Sequence, residues 1–328
     1  MVYDKVRWGI IGCGNVTEVK SGPAFQKIAN SELVAVMRRT GELAKDYAKR
    51  HHVPKWYDNA DELIQDSEVD AIYIATPPGS HKDYTLKAAQ AGKPVYVEKP
   101  MARNYEECLE MNKACKEANV PLYVAYYRRA QQRFLKIKEL LENGEVGEIR
   151  FVSTTQYRKA KEDPTNLPWR VQPELSGGGL FFDLASHTLD ILDFLLGPIK
   201  EVRGFASNHG GLYEAEDIVT GTYLFESGIH GFGNWCFTSF QNEDVNEIVG
   251  SKGKITFSTF GNEPIVLTTK NGTEEWSFER PQHVHQPLVE TIVAELTGKS
   301  GVCPSNGESG ARTNWVMDEM VKGYYANK

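Results

Sequence analysis

An apolar run that leads directly into a glycine turn decides the fold of this chain. Residues 6–11 read Val-Arg-Trp-Gly-Ile-Ile, and residues 12–17 read Gly-Cys-Gly-Asn-Val-Thr. A short apolar run that ends at a turn is typical of a buried strand. Gly12 would allow the tight turn, and Gly14 would let a pyrophosphate approach the backbone where Asn15 and Val16 begin a helix. Thr17 stands where such motifs usually have a third glycine, so a plain strand-to-helix turn is the alternative.

The first 125 residues alternate short apolar runs with helical patterns. Most of the runs are almost continuously apolar, as expected for strands that are buried on both faces of a sheet. Strands that alternate with helices indicate an α/β fold with a doubly wound parallel sheet, the Rossmann arrangement. The five predicted strands are Val6–Ile11, Leu33–Met37, Ala71–Ala75, Pro94–Val97 and Leu122–Ala125.

The chain changes character after Val146, where β-type segments dominate. Turn signals such as Ser251-Lys-Gly253 and Lys270-Asn-Gly272 separate several of them, which favours a mainly antiparallel open sheet. One predicted helix, Leu180–Leu196, interrupts this region, and two more close the chain, near Pro287–Leu296 and Gly307–Tyr324. The predicted strands are Ile149–Tyr157, Val202–Asn208, Ile218–Phe225, Ile229–Thr238, Glu247–Ser258 and Glu263–Thr269.

These patterns predict two domains, because 328 residues exceed the usual size of one. The first would be a dinucleotide-binding domain over residues 1–125. The second would be an α+β domain over residues 126–328 that binds substrate and mediates oligomerisation, with terminal helices able to pack back on the first domain.

The bulk composition narrows the partners. The net charge is −7, and no block of Lys and Arg offers the phosphate-neutralising surface of a nucleic-acid binder. No apolar run has the length of a membrane span, and the first residues lack the apolar core of a secretory signal. The five cysteines are scattered, without a Cys-x-x-Cys pair, which indicates reduced thiols. We therefore expect a cytoplasmic protein without a metal site, a membrane partner or a nucleic-acid partner.

Three ionisable residues stand where a hydride-transfer enzyme would need them. Lys99 follows the buried run Pro94–Val97, and Asp183 and His187 follow the triple glycine 177–179. A spacing of four residues puts Asp183 and His187 on one helix face. An imidazole can shuttle a proton near neutral pH, and an ammonium can polarise a carbonyl oxygen. The alternatives are a solvated lysine at a strand end and a histidine that is satisfied within a core.

The full set of motifs resembles a known family over nearly the whole chain. Besides the glycine turn, the set comprises Ala75-Thr-Pro-Pro78 with His81, Glu98-Lys-Pro100, Trp169-Arg170, and Gly177-Gly-Gly179 with Asp183 and His187. Their order and spacing are similar to the glucose–fructose oxidoreductase, inositol dehydrogenase and rhizopine-catabolism (Gfo/Idh/MocA) family of NAD(P)-dependent oxidoreductases. The resemblance implies a dehydrogenase or reductase that acts on CH–OH groups.

The resemblance also implies roles for individual residues. Lys99, Asp183 and His187 would be catalytic and would contact substrate together with Trp169 and Arg170. The Lys99–Pro100 peptide would be cis, which would aim the lysine at the nicotinamide. Relatives often carry Asn at the position of Tyr126 or Tyr127. The implied cofactor contacts are Gly12, Gly14, Asn15, Val16, Arg38, Arg39, Thr76, Pro77, Pro78, His81, Glu98, Lys99 and Arg128. For His81 a purely structural role is the alternative.

The end of the second predicted strand bears on the choice of cofactor. NAD sites usually place Asp or Glu there to bind the ribose 2′-hydroxyl. This chain has Arg38 and Arg39 instead, and a guanidinium would bind the 2′-phosphate of NADP with charge-assisted hydrogen bonds. The alternative is that both arginines are merely solvated. We therefore expect NADP(H) to be preferred and NAD(H) to be possible.

The sequence thus predicts an oxidoreductase that transfers a hydride between NADP(H) and a secondary alcohol or carbonyl of a sugar, cyclitol or related polyol. A redox-cycling glycosidase of the same family that uses bound NAD, a non-catalytic dinucleotide sensor and an unrelated doubly wound binding protein are the alternatives. The aromatics of residues 223–235 exceed what one core needs, so we expect a homodimer or homotetramer through the second sheet. Tyr157 and Trp235 are assigned to core packing, with pocket walls as the alternative, and His283-Val-His285 is interpreted as a surface pair.

Overall fold

The computed structural model describes residues 2–161, 163–299 and 301–326 of the chain. The chain divides into two compact units. The first comprises Met1–Ala130 and Pro281–Ala311, and the second comprises Gln131–Arg280 and Arg312–Lys328. The first break therefore falls after residue 130, against the expected 125, and a late segment of the chain belongs to the first unit.

The first unit is built on a parallel sheet of six strands in the order β3-β2-β1-β4-β5-β6. This confirms the Rossmann prediction. Of the six strands, β3 alone was not predicted, because its three residues are too few to show a pattern. The strands are β1 (Val6–Ile11), β2 (Ser31–Met37), β3 (Lys55–Tyr57), β4 (Ala71–Ile74), β5 (Val95–Val97) and β6 (Leu122–Val124). The helices are α1 (Asn15–Val19), α2 (Gly22–Lys27), α3 (Gly41–Arg50), α4 (Ala60–Gln65), α5 (His81–Gln90) and α6 (Tyr105–Glu117).

Both faces of this sheet are buried, which explains the apolar runs. On one face Trp8 and Ile10 pack in a cluster with Phe25. On the other face Ile72 packs in a second cluster with Leu63. Burial on both faces therefore accounts for the continuous apolar runs from which the parallel sheet was predicted.

The second unit is built on an eight-stranded sheet in the order β14-β13-β12-β11-β7-β10-β9-β8. Adjacent strands run antiparallel to each other, except β7 and β10, which run parallel. The strands are β7 (Ile149–Tyr157), β8 (Ile199–Ser207), β9 (Ile218–Phe225), β10 (His230–Cys236), β11 (Glu243–Gly250), β12 (Gly253–Phe257), β13 (Ile265–Thr269) and β14 (Gly272–Trp276). The helices are α7 (Gln132–Glu142), α8 (Pro173–Ser176) and α9 (Ser186–Leu196).

One strand prediction in this unit was wrong, and one strand was not predicted. The predicted strand Glu247–Ser258 is two strands, β11 and β12, because the chain reverses at Ser251 and Lys252. The strand β14 was missed because its sequence, Gly-Thr-Glu-Glu-Trp, is largely exposed and lacks apolar alternation. The chain closes with α10 (Gln286–Leu296) and α11 (Gly307–Tyr325), within one residue of the predicted bounds. Among the described residues, none of the helices combines the length and the hydropathy that a membrane span requires.

Candidate active site

The glycine turn after β1 has the geometry of a phosphate cradle. Gly12 has φ of +91°, and a Cβ there would lie 2.7 Å from Thr76 Cγ2, so only glycine fits. A Cβ on Gly14 would have no heavy atom nearer than the Gly12 carbonyl oxygen, 3.8 Å away. The space beside Gly14 is therefore open. These residues fit the pyrophosphate of a dinucleotide, which would lie against the bare backbone where Asn15 and Val16 begin α1.

Thr17, at the position of the usual third glycine, forms hydrogen bonds within the turn. Its Oγ1 accepts a hydrogen bond from the Gly14 amide at 3.0 Å and donates one to the Gly14 carbonyl at 2.8 Å. The close approach moves instead to Gly22, where a Cβ would lie 2.2 Å from the Thr17 carbonyl oxygen and 2.3 Å from the Tyr47 hydroxyl. The threonine therefore stabilises the turn.

The predicted contacts of the first unit gather at the carboxyl edge of its sheet. The strands β1, β4 and β5 are neighbours and run parallel, and they end just before Gly12, Thr76 and Lys99 respectively. Pro77 leads into a single 3₁₀ turn, Pro78–Ser80. His81 is fully buried, and its Nε2 and Nδ1 lie 2.7 Å and 3.1 Å from the carbonyl oxygens of Thr76 and Met101. The His81 ring therefore connects the loop at Thr76 to the segment at Met101, which agrees with the alternative that its role is purely structural.

Two exposed arginines follow β2 at the same edge. Arg38 and Arg39 are both solvent-accessible, and Arg38 Nη1 lies 3.5 Å from the Cys13 carbonyl oxygen in the glycine turn. One guanidinium therefore lies beside the cradle. No carboxylate occupies residues 38–40, where an NAD site usually has one.

Lys99 is half-buried and precedes a cis Lys99–Pro100 peptide, as the resemblance implied. Glu98 was expected to contact the cofactor, but its carboxylate is buried within the unit. Tyr73 donates a hydrogen bond to Glu98 Oε1 at 2.5 Å. Arg128 is also buried, with its guanidinium 5.0 Å from the centre of the Tyr127 ring.

The interpretation of His283 and His285 as a surface pair was wrong. They are only 6% and 1% exposed, and both belong to the first unit. His283 Nδ1 lies 2.6 Å from the Val19 carbonyl oxygen. His285 Nδ1 lies 2.8 Å from the Tyr96 hydroxyl, and its Nε2 lies 3.5 Å from Glu98 Oε1. A spacing of two residues gave no sign of these contacts, because every partner is distant in the sequence.

In the second unit, packing accounts for the triple glycine. Gly177 closes α8 with φ of +87°. A Cβ on Gly178 would lie 2.2 Å from the Phe182 ring, and one on Gly179 would lie 2.4 Å from the Glu216 carbonyl oxygen. The Gly179 amide also donates a hydrogen bond to Glu216 Oε1 at 2.8 Å. Gly178 and Gly179 therefore make room for the Phe182 ring and the Glu216 backbone of the same chain.

Asp183 lies in a π-helical turn, Phe181–Ala185, that leads into α9. The predicted helix thus begins with a wider turn than the expected α geometry, and such π segments are frequent at functional sites. Arg170 Nε donates a hydrogen bond to Asp183 Oδ2 at 3.1 Å. The Arg170 guanidinium also lies 4.4 Å from the centre of the Trp169 ring. The structure therefore brings these three predicted substrate residues together.

His187 lies in the first turn of α9 and is 4% exposed. The His187 and Phe260 rings make a T-shaped contact at 5.6 Å between centroids, and the Arg158 guanidinium lies 5.2 Å from the centre of the Phe260 ring. Arg158 and Phe260 were not predicted as site residues, because no motif links residues so far apart in the sequence. Trp235 is fully buried in the core of this unit, as expected. Tyr157 is partly exposed and accepts a hydrogen bond from Asn234 at 3.1 Å.

The Asp244 carboxylate holds the loop that carries Phe260. It accepts hydrogen bonds from the amides of Thr259 at 3.1 Å, Phe260 at 2.6 Å and Gly261 at 3.3 Å. Thr259 Oγ1 in turn lies 3.0 Å from Thr188 Oγ1, next to His187 on α9. Lys99 belongs to the first unit, and Asp183 and His187 belong to the second.

The fold and the cradle define a dinucleotide-binding oxidoreductase of two domains. Residues 6–126 match the oxidoreductase family with an NAD-binding Rossmann fold, and residues 134–256 match the GFO/IDH/MocA C-terminal domain. Oxidoreductase P35 of Formosa agariphila is 39% identical over 319 residues, which cover 96% of this chain and 98% of that protein. The chain belongs to the Gfo/Idh/MocA family, and it is an oxidoreductase that uses a nicotinamide dinucleotide.

Two further relatives extend the comparison. The 1,5-anhydro-D-fructose reductase of Ensifer adhaerens is 30% identical over 251 residues, covering 76% of this chain and 74% of that enzyme. Among solved structures, aldose-aldose oxidoreductase from Caulobacter crescentus, complexed with glycerol, is 25% identical with a TM-score of 0.87. That alignment covers 99% of this chain and 98% of that one.

Proposed function

We propose that this protein transfers a hydride between NADP(H) and a secondary alcohol or carbonyl of a sugar, cyclitol or related polyol. The observation that carries the proposal is the position of Lys99 at the sheet edge that also holds the glycine cradle. Relatives named 1,5-anhydro-D-fructose reductase, scyllo-inositol 2-dehydrogenase (NAD(+)) and myo-inositol 2-dehydrogenase support the substrate class. All three names refer to carbohydrates or cyclitols.

The chain's own residues would handle the proton and the substrate. The bound nicotinamide would give or take the hydride at its C4 atom. Lys99 Nζ, as an ammonium, would polarise the reacting oxygen, and the His187 imidazole would exchange a proton with it. Asp183, paired with Arg170, would accept a hydrogen bond from a neighbouring substrate hydroxyl.

Aromatic and cationic groups near these residues would select the substrate. The Trp169 and Phe260 rings offer apolar surfaces that suit the C–H face of a sugar ring. The Arg158 guanidinium, which lies over Phe260, would donate hydrogen bonds to hydroxyls at the far end of the substrate. We expect Arg158→Ala to raise KM more than it lowers kcat.

A substrate panel tests the proposed activity. NADPH oxidation would be followed with keto-sugars and ketocyclitols, and NADP⁺ reduction with the matching polyols. We expect turnover with at least one member of this class. Release of free sugar from a glycoside without net change in the cofactor would favour the redox-cycling glycosidase. Tight cofactor binding without turnover of any panel member would favour the dinucleotide sensor, in which the proton shuttle would have no purpose.

The preference for NADP rests on Arg38. A charge-assisted contact to the 2′-phosphate contributes about 1.5–3 kcal/mol, or roughly 10- to 150-fold in affinity. We expect wild-type protein to bind NADPH more tightly than NADH, and Arg38→Asp to reverse the order. Titration of both cofactors by fluorescence measures this. Lys113→Asp, at an exposed position on α6, is the control for the change of charge. Equal or tighter NADH binding by the wild type would contradict the preference.

A further inference from the structure

A buried polar cluster lies directly behind Lys99 in the first unit. Its members are Tyr73 on β4, Tyr96 on β5, Glu98 after β5 and His285 before α10. All four are at most 7% exposed. The Glu98 carboxylate accepts two hydrogen bonds, from Tyr73 to Oε1 at 2.5 Å and from the Lys99 amide to Oε2 at 3.3 Å. His285 Nε2 faces the same carboxylate at a longer distance, 3.5 Å from Oε1. The carboxylate therefore lies between His285 and the backbone of Lys99.

The contacts favour one tautomer of His285. Burial, together with the charges of Lys20, Lys99 and Arg128, lowers the pKa of His285 to about 3, so the ring is neutral. Burial raises the pKa of Tyr96 well above its ordinary value, and its protonated hydroxyl lies 2.8 Å from His285 Nδ1. We assign this hydroxyl as the donor, which places the one N–H of the neutral imidazole on Nε2. That N–H faces Glu98.

The surroundings of Glu98 shift the pKa of its carboxyl in two directions. Burial raises the pKa of its carboxyl, while the hydrogen bond from Tyr73 and the charges of Lys99 and His81 act in the other direction. Other charged or titratable neighbours of the cluster include Lys20, Tyr127, Arg128 and Cys303. A donor at 3.5 Å is weak in water, but it counts for more where water is excluded.

The segment that contains His285 packs against the end of α1, the helix that begins at the glycine turn. The His285 amide donates to the Lys20 carbonyl at 3.2 Å, just after α1, which begins at the glycine turn. His283 binds the neighbouring Val19 carbonyl and lies 2.6 Å from Lys27 Nζ through its Nε2. The described contacts of His283 are with this helical region, whereas His285 reaches Glu98.

We propose that His285 is a positioning residue for the hydride transfer, because its Nε2 faces the buried Glu98 carboxylate, which in turn accepts a hydrogen bond from the backbone amide of Lys99. The inference rests on the proposed function for its link to turnover, since His285 acts only through Glu98. Its structural part, the hold of His285 on Glu98, can be measured without any substrate.

The test is a titration of Glu98 itself. Protein with carbon-13 in the glutamate side-chain carboxyls would be titrated by NMR, with Glu98→Gln to assign the signal. Removing a donor to the charged form favours the neutral form, so we expect His285→Phe to raise the Glu98 pKa by about half a unit or more. His285→Gln keeps an N–H in a similar place and should restore most of the shift. Tyr96→Phe, which releases the ring hydrogen from Nε2, should shift the pKa in the same direction.

A matched control and a kinetic measurement complete the experiment. His283→Phe disturbs the docking of the same segment without touching Glu98, and we expect no shift. The acid limb of the kcat profile should move to higher pH with the Glu98 pKa in His285→Phe, while NADPH affinity stays within about twofold. An unchanged Glu98 pKa in His285→Phe, an equal shift in His283→Phe, or an acid limb that does not follow the Glu98 pKa would each overturn the proposal. Absence of all turnover would reject the proposed function, and the carboxyl titration would still decide whether His285 holds Glu98.

Discussion

The residues assigned to the chemistry each have a described contact. The Asp183 side chain is paired with Arg170, and the backbone amide of Lys99 donates a hydrogen bond to the buried carboxylate of Glu98. His187 is nearly covered, and its ring makes a T-shaped contact with Phe260. Fixed side chains lose little entropy when a substrate binds, and pre-positioned acid–base groups lower the barrier to proton transfer. Substitutions of these residues should therefore reduce turnover without affecting the fold.

Lys99→Met and His187→Asn should each reduce turnover while leaving cofactor binding nearly intact. Both replacements keep the approximate size of the side chain and remove the transferable proton. General acid–base groups contribute about 10²–10⁴-fold, so we expect kcat to fall by that factor and the Kd for NADPH to change by less than about twofold. Lys113→Met, at an exposed position on α6, is the control for loss of a lysine. A variant that kept near-normal kcat on the true substrate would remove its residue from the mechanism.

At the scale of single elements, β10 shows how glycine can serve packing inside a strand. Gly231 and Gly233 point to the core face, where a Cβ would lie 2.0 Å from the Tyr223 ring and 2.2 Å from the Trp235 ring. Both rings are buried. The alternate position, Phe232, faces the open side and is 49% exposed. The two glycines thus make room for two large rings on one face of a strand.

Gly233→Ala should therefore destabilise the protein. The added methyl group has no space unless Trp235 moves, and overpacking of this kind costs about 1–3 kcal/mol. Gly323→Ala is the matched control, because nothing lies within 4 Å of its Cβ position on the exposed side of α11. There we expect no loss, or a gain of up to about 1 kcal/mol from helix propensity. Urea unfolding of both variants gives the free energies, and equal values would refute the packing argument.

At the scale of the whole molecule, one face of the second sheet stays open. Phe205, Phe232 and Phe151 expose 83%, 49% and 36% of their surface on three of its strands. The rings of Phe151 and Phe232 stack at 5.9 Å. The opposite face carries the buried Tyr223, Phe225 and Trp235. Exposed aromatics on one face of a sheet usually mark an interface, so a second copy of the chain is the partner that we propose.

Light scattering at micromolar concentration tests this assembly. We expect a mass of two or four times the 36.8 kDa of the chain. Phe232→Glu should lower the mass, because a carboxylate would be desolvated at the centre of the apolar face. Leu109→Glu, an exposed apolar residue on α6 of the other unit, should leave the mass unchanged. A wild-type mass near that of one chain would reject the assembly.

The sequence by itself determined the features that depend on neighbouring residues. The strands β1, β7 and β9 match their predicted bounds, because burial of a strand imposes a local pattern of apolar residues. Local signals of the same kind also predict the glycine turn, the alternation of strands and helices in the first unit, and the ends of α10 and α11. The family resemblance then indicated which of the many polar residues to examine.

Only the tertiary structure decided which distant residues meet. His285 belongs with Glu98 and Tyr96, and Phe260 with His187, although long stretches of chain separate the partners. The short strands β3 and β14 form because a neighbouring strand supplies their hydrogen bonds, which no pattern of three or five residues can announce. The glycines at 178 and 179 admit the chain's own Phe182 and Glu216. A local pattern records whether a residue is buried, but the identity of its partner depends on how the elements pack, and that information is spread over the whole chain.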